Sequence, residues 1–373
     1  MRAIHHWIVV LALALSMGAH AETGVTDNRL LIGQTGAASG PLAALNQEYI
    51  GGAKLFFDQT NRSGGVAGRR IELLTLDDAY DPARAEQNAR ELIGNKQVFA
   101  LFGCFGTGPG IKTIPVATAA RVPFFAPYSG ADALRPFQNS VFHLRASYGQ
   151  EIEAIVTHLV NAGITQIGVA HHDDSFGRAG LEVARTVLAR RGVTPALEVA
   201  IASGGDNADE VAKQVAAATP AALIMVTAGK SSAALMESLI AHDAKPMLYG
   251  LSVISANQLI QTLGPKAHGL VIAQVVPSPF RLDHAVVQQY RKAAETAKQE
   301  MSYTALEGYI AAKVFVEALR RAGTELTRTA LIAALESLNG WDAGGWKISF
   351  SSTDHEASDY VDLAIISRGR YLR

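Results

Sequence analysis

Twice along the chain, short aliphatic runs alternate with helical stretches, and this alternation restricts the fold more than any other feature. In the first series "LLIGQT" (30–35), "IELLTLDD" (71–78), residues 99–102 and "VPFFAP" (122–127) read as strands. A helix after Pro41 carries Leu42, Leu45, Tyr49, Phe56 and Phe57 near one face, and Pro82 opens another. The second series follows "SVFHLRASYGQE". Its strands are "QIGVAHH", "ALEVAI", "ALIMVT", "MLYG" and "GLVIAQVV", and its helices lie near 152–159, 176–191, 206–219 and 231–242. Helices at 285–298, 303–322 and 327–337 come next, then strand-like "WKISF" and "YVDLAII". Strands alternating with helices form parallel sheets covered on both faces. Two such series predict an α/β protein of two doubly wound parallel-sheet lobes, with a cleft at the carboxyl ends of the strands. The length of 373 residues also exceeds what one core usually holds.

The most distinctive loop is "LFGCFGTGPGIKT" (101–113). It comes close to a phosphate-binding loop but fails the spelling, because Ile111 separates Gly110 from Lys112. The spacing of Gly103, Gly106, Gly108 and Gly110 also misses the dinucleotide pattern. What remains is a glycine-rich turn from a buried strand into a helix. Such a turn aims backbone N–H groups at an anion, and a carboxylate fits there as well as a phosphate. Thr107 is placed to add a hydroxyl, or merely to cap the helix.

The N-terminus carries Arg2, an apolar run from Trp7 to Met17, and Ala19-His20-Ala21 before polar residues. This predicts a secretory signal peptide over residues 1–21, cleaved after Ala21, and a periplasmic location. Cys104 is the only cysteine, so no internal disulfide is available. A formal charge of -1 without a basic cluster argues against nucleic acid. "HHDD" (171–174) has metal-ligand residue types, but adjacent residues on an extended segment face opposite ways, and a strand end with a helix cap is expected instead. Asp77-Asp78 reads as a polar strand end; its rival role is a paired carboxylate in an exported enzyme. No G-x-S-x-G or H-E-x-x-H occurs. Neither a metal nor another cofactor is expected, and no enzymatic activity.

The longest recognisable stretch is "NRSGGVAGRRIELLTLDDAYDPARA" (61–85). With "GAASGP", "VPFFAPYSGADALR", "DDSFGRAGL" and "YTALEGYIAAKVFVEALRRAG" in order, the chain resembles the periplasmic solute-binding proteins of ABC transporters, of the branched-chain amino acid (Leu/Ile/Val) type. The resemblance spans nearly the whole chain after the leader. It implies a type I periplasmic binding protein with a three-crossing hinge. One lobe takes residues 22–145 and 276–344, the other 146–275 and 345–373, with crossings near Arg145, Val276 and Gly344–Gly345. It implies a monomer that captures a small carboxylate-bearing solute, closes around it, and delivers it to an ABC permease in the inner membrane. A periplasmic sensor of the same fold is the alternative.

The resemblance also assigns a ligand site. Thr107 and the loop Tyr128-Ser129-Gly130-Ala131 form the carboxylate seat. Ser39 borders the cleft, and Phe105 projects beside the seat. From the second lobe, Phe176 falls where the family often has a ligand-covering Tyr, Tyr148 lies just past the first crossing, and Thr227 and Ser252 follow strands whose carboxyl ends are expected to face the cleft. Amino-acid binders of this family usually carry an acid after the strand matching "MLYG", where this chain has Leu251-Ser252-Val253. That leaves open an acid lacking the α-amino group, or an ammonium met instead by Asp132, Asp174 or Glu307.

Overall fold

The computed structural model describes residues 22–367 and 370–372, so the leader segment assigned to residues 1–21 lies outside the described residues. In the first sheet, β1 (Arg29–Gly36), β2 (Arg70–Asp77), β3 (Ala100–Phe102), β4 (Phe124–Phe125) and β5 (Val141–Phe142) lie in the order β2-β1-β3-β4-β5. All neighbours are parallel. Helices α1 (Ala43–Arg62), α2 (Pro82–Gly94) and α3 (Thr107–Ala119) make the connections.

The second lobe opens with α4 (Tyr148–Asn161), whose Ser147 and Gln150 form a reciprocal capping box. Next come β6 (Ile167–His172), α5 (Ser175–Arg190), β7 (Leu197–Ile201), α6 (Ala208–Ala218), β8 (Ala222–Val226), α7 (Lys230–Ala241), β9 (Met247–Gly250), α8 (Ala256–Leu263) and β10 (Val271–Gln274). The chain then returns to the first lobe as α9 (Ala285–Ala297), α10 (Tyr303–Ala322) and α11 (Arg328–Glu336), followed by the short hairpin β11 (Trp341–Asp342) and β12 (Lys347–Ile348). Finally β13 (Asp362–Ser367) and β14 (Arg370–Leu372) complete a sheet in the order β14-β13-β10-β9-β8-β6-β7. The last two strands run antiparallel, so this sheet is parallel only up to β10.

Two glycines explain how α10 rejoins the first lobe. A Cβ on Gly52 of α1 would fall 1.7 Å from the Ala305 carbonyl oxygen, and one on Gly308 of α10 would fall 1.9 Å from that of Tyr49. The two helix backbones therefore touch, and no side chain fits between them. Below the first sheet the Phe315 ring meets Phe102 at 5.6 Å and Phe125 at 5.5 Å.

The third crossing falls later than Gly344–Gly345. Those glycines build the β11–β12 turn, where both N–H groups donate to the Asp342 carboxylate. Beyond them Phe350 packs 5.3 Å from Phe142, His355 stacks 3.7 Å from it, and Ala357 N–H donates to the His143 carbonyl. The chain therefore stays on the first lobe through Ala357. No helix among the described residues is long and apolar enough to cross a membrane.

Candidate functional site

The loops after β3 and β4 zip together past the ends of their strands. Tyr128 N–H donates to the Cys104 carbonyl at 2.9 Å, and Gly106 N–H donates to that of Tyr128 at 3.1 Å. This pairing brings Thr107, the first residue of α3, to Ser129, and their hydroxyl oxygens lie 2.8 Å apart. Ala131 N–H also donates to the Ser129 hydroxyl, at 3.2 Å. Gly106 precedes α3 with φ +100 and makes no side-chain cap. Thr107 therefore does not cap the helix; its hydroxyl points to the second loop. Two buried hydroxyls thus meet at the N-terminus of α3, a polar spot of the kind that suits an anion.

Five aromatic rings surround this seat. Phe105 stacks on Tyr128 with centroids 5.1 Å apart and planes at 11°. Tyr80 meets Phe105 edge-on at 6.1 Å. From the second lobe, Tyr148 and Phe176 meet edge-on at 5.3 Å. The five rings and Thr107 line a cavity of about 20 Å³, completed by Leu42, Leu45 and Gly106 of the first lobe and Ala228 and Val253 of the second. That volume suits about one water. Phe105 is expected to project from its loop; instead it is 2% exposed, because Tyr128 and Tyr80 enclose it. Two wider surface grooves, of about 700 and 730 Å³, lie on outer faces around Ile111 and around Gln150, away from this seat.

Tyr80 escapes a motif reading, and the Asp77-Asp78 pair explains how it arrives. Ala79 and Tyr80 adopt φ of +50 and +66, a region unfavourable for a bulky residue. Asp77 accepts the N–H groups of Ala38, Ser39 and Ala79, and Asp78 accepts that of Tyr80 and the Thr35 hydroxyl. The turn they hold lays the Tyr80 ring on Gly106, where a Cβ would sit 2.3 Å from the ring. Gly130 is covered in the same way by Tyr148, at 2.7 Å. Burial pushes the Asp78 carboxyl up to about 6, against the pull of Thr35. Burial also acts on Asp77, but the Ser39 hydroxyl and surrounding N–H groups outweigh it and hold that carboxyl at about 2. Both acids are committed to shaping the loop.

Ser129, behind Thr107, and the remaining predicted residues lie off the cavity wall. The exposed Ser39 spends its hydroxyl on Asp77 at 2.7 Å. Thr227 bonds Ser232 at 2.8 Å, and the next residue, Ala228, faces the cavity. Ser252 bonds Glu151 through both its N–H (2.7 Å) and its hydroxyl (2.9 Å), and the next residue, Val253, faces the cavity. Gly130 contributes backbone beneath Tyr148, and the Ala131 N–H anchors Ser129.

Behind Tyr128 and Tyr148 lies a buried charge cluster that local sequence does not reveal. The Arg145 guanidinium sits 4.7 Å from the Tyr128 ring centre and 5.8 Å from that of Tyr148. It pairs with Glu151 at 3.5 Å and Glu307 at 3.7 Å, and donates to the Ser252 hydroxyl.

Two groups with catalytic residue types prove enclosed. His172 Nε2 lies 2.6 Å from the Ser231 hydroxyl, and His172 Nδ1 lies 3.4 Å from Asp174. However, Ser231 is fully buried, its hydroxyl also reaches the Ala228 carbonyl, and Asp174 caps α5 through Gly177 N–H. The trio joins a strand end to two helices, and its serine and histidine are buried. The buried Cys104 thiol is pushed up to about 12 by burial, which removes it as a nucleophile.

Known proteins share this architecture. The Leu/Ile/Val-binding protein homolog 7 of Brucella abortus (strain 2308) is 23% identical over 375 residues, covering 94% of this chain and 87% of the relative. A crystal structure of a possible leucine/isoleucine/valine-binding protein from Rhodopirellula baltica SH 1 superposes with a TM-score of 0.86 at 30% identity, covering 93% of this chain and 96% of that one. A branched-chain amino acid ABC transporter structure from Thermus thermophilus with bound valine gives 0.85 at 19% identity, covering 93% and 96%. The profile of the periplasmic binding protein family matches residues 30–370, and the chain belongs to that family.

Proposed function

We propose that this protein captures a small carboxylate-bearing solute between its lobes and hands it to an ABC permease in the membrane. Members of the family bind small molecules and work with ABC transporters, and its relatives are binding proteins rather than enzymes. The observation that carries the reading is Thr107 on the cavity wall at a helix N-terminus, its hydroxyl bonded to Ser129 behind it, with aromatic rings from both lobes around it. A few placed polar groups in an apolar enclosure are what a small-molecule site requires. The carboxylate rests on the seat, and an aromatic or branched aliphatic body lies among Phe105, Tyr128, Tyr148 and Phe176. A cavity of about 20 Å³ admits no such ligand while the lobes stay in this arrangement, so entry requires them to part. Cavity-lining side chains carry no formal charge, so the wall offers an anion dipoles and gives an ammonium ring faces but no carboxylate. This favours an acid without an α-amino group.

The test is a thermal-shift panel on protein refolded to remove carried-over ligand, pairing phenylalanine with 3-phenylpropanoate and leucine with 4-methylpentanoate. A ligand that binds only the native state raises the midpoint. A shift with the deaminated acids alone is expected. A shift with amino acids alone would assign the ammonium to an acid outside the wall, Asp174 being nearest to Phe176 in sequence. No shift with any carboxylate would remove the proposed function.

A further inference from the structure

The Arg145 cluster joins three parts of the hinge region. Arg145 lies between β5 of the first sheet and α4 of the second lobe. Its Nε faces Glu307 on α10, in the first lobe, and its Nη2 faces Glu151 on α4 and Ser252 after β9, in the second. The side chains of Arg145, Glu151 and Glu307 are 1%, 0% and 6% exposed. Arg145 Nε and Nη1 complete no hydrogen bond within the protein, so the guanidinium is held by charge more than by geometry. Tyr49 of α1, Tyr128 after β4 and Tyr148 of α4 also face the cluster, and Arg135 acts on Glu151 from outside. These tyrosines are buried and neutral, each with its ionisation pushed up by burial.

The charge count does not close. One buried cation faces two buried carboxylates, and a second buried negative charge in a low-dielectric site is strongly disfavoured. Burial pushes the Glu307 carboxyl up to about 7, Arg145 pulls against it, and Glu151 adds to the rise. Burial also raises Glu151, with Arg145 and two bonds from Ser252 opposing, so the two acids compete for one proton beside a single cation. Burial outweighs the pull of Arg145 on Glu307, so a rotation of the lobes that rehydrated the acids would lower their proton affinity even as it lengthened an Arg145 contact.

We propose that lobe closure is coupled to uptake of one proton by the Arg145–Glu151–Glu307 cluster, making the hinge pH-sensitive. The cluster lies behind two cavity rings, so the same protonation favours ligand capture, a consequence that rests on the function proposed above. By linkage, a carboxyl whose affinity for the proton rises on closure favours the closed form when protonated. The closed-to-open ratio therefore falls by up to about tenfold per pH unit as pH rises from the ordinary carboxylate range to about 7, and levels off above it.

Small-angle scattering of the ligand-free protein between pH 5 and pH 8.5 tests this without any ligand. The radius of gyration is expected to increase with pH and reach a plateau above about 7. Glu307→Gln, which mimics the protonated acid, is expected to remain compact throughout. A radius independent of pH in the natural protein overturns the proposal, as does a Gln variant that expands with the same profile. If the Gln variant does not fold, the wild-type series decides alone. Because no ligand is present, failure here leaves the carboxylate reading standing, and failure of every carboxylate in the thermal panel leaves this result standing.

Discussion

Replacing Thr107 with Val isolates the contribution of one hydroxyl. The two side chains have nearly the same shape, and the site is 1% exposed, so packing around α3 is preserved. What disappears is the contact to Ser129 at 2.8 Å. Ser129 keeps the Ala131 N–H at 3.2 Å, so the change leaves no fully unpartnered hydroxyl. The net cost to folding is about 1 kcal/mol, a midpoint drop of roughly 1–2 °C. The cost to binding is larger, since a hydrogen bond to a charged carboxylate contributes about 1.5–3 kcal/mol, roughly a ten- to hundredfold loss of affinity. Binding is weakened and not abolished, because the N–H groups at the start of α3 remain. Calorimetric titration with the best carboxylate of the panel, beside a thermal melt, reads both quantities. Affinity within twofold of the natural protein, with the midpoint lowered as expected, would refute the assignment of Thr107 to the ligand.

Three other substitutions probe different parts of the account. Gly308→Ala forces a Cβ against the Tyr49 carbonyl 1.9 Å away, so the α1–α10 contact must separate; a loss of at least about 1–3 kcal/mol is expected in urea denaturation, and an unchanged midpoint would contradict the backbone contact. Asp78→Asn tests a pH dependence. Folding raises this carboxyl from 3.8 to about 6, so its contribution is most favourable below pH 4 and is lost as pH rises to about 6. The variant is expected to be less sensitive than the natural protein between pH 4 and 6.5, by at most about 3 kcal/mol, and an identical pH profile would exclude the effect. Arg145→Met leaves Glu151 and Glu307 without their cation and should cost about 3–5 kcal/mol, partly recovered by adding Glu151→Gln and Glu307→Gln; no recovery in the triple variant would show that packing of the guanidinium, not charge, is what matters.

Much of this architecture is legible in the sequence. Alternation of "LLIGQT" and its successors with helices is a local signal, and the sheets follow it closely. The strand-to-helix turn at Thr107 was likewise legible, since glycine spacing and Pro109 act within a few residues. Legibility fails where the site depends on residues brought together by the lobes. Thr227 and Ser252 follow strands whose carboxyl ends face the cleft, but their hydroxyls turn inward to Ser232 and Glu151, and the apolar Ala228 and Val253 beside them reach the cavity. Tyr80 lies inside the most recognisable stretch of the chain, yet only the turn held by Asp77 and Asp78 shows where its ring goes. The Gly344–Gly345 pair has hinge-like composition, but Asp342 collects both N–H groups and makes a hairpin turn. The balance among Arg145, Glu151 and Glu307 depends on distances between residues up to 162 positions apart, which no periodicity encodes.

The central claim is that the cleft recognises a carboxylate through the Thr107–Ser129 seat. The most direct measurement is calorimetric titration of the ligand-stripped protein with 3-phenylpropanoate and with its neutral analogue 3-phenylpropanamide. The account predicts measurable binding of the acid and at least about tenfold weaker binding of the amide, since the helix dipole and the hydrogen bonds hold an anion more strongly than a neutral carbonyl. Equal affinities, or no binding of the acid, would contradict it.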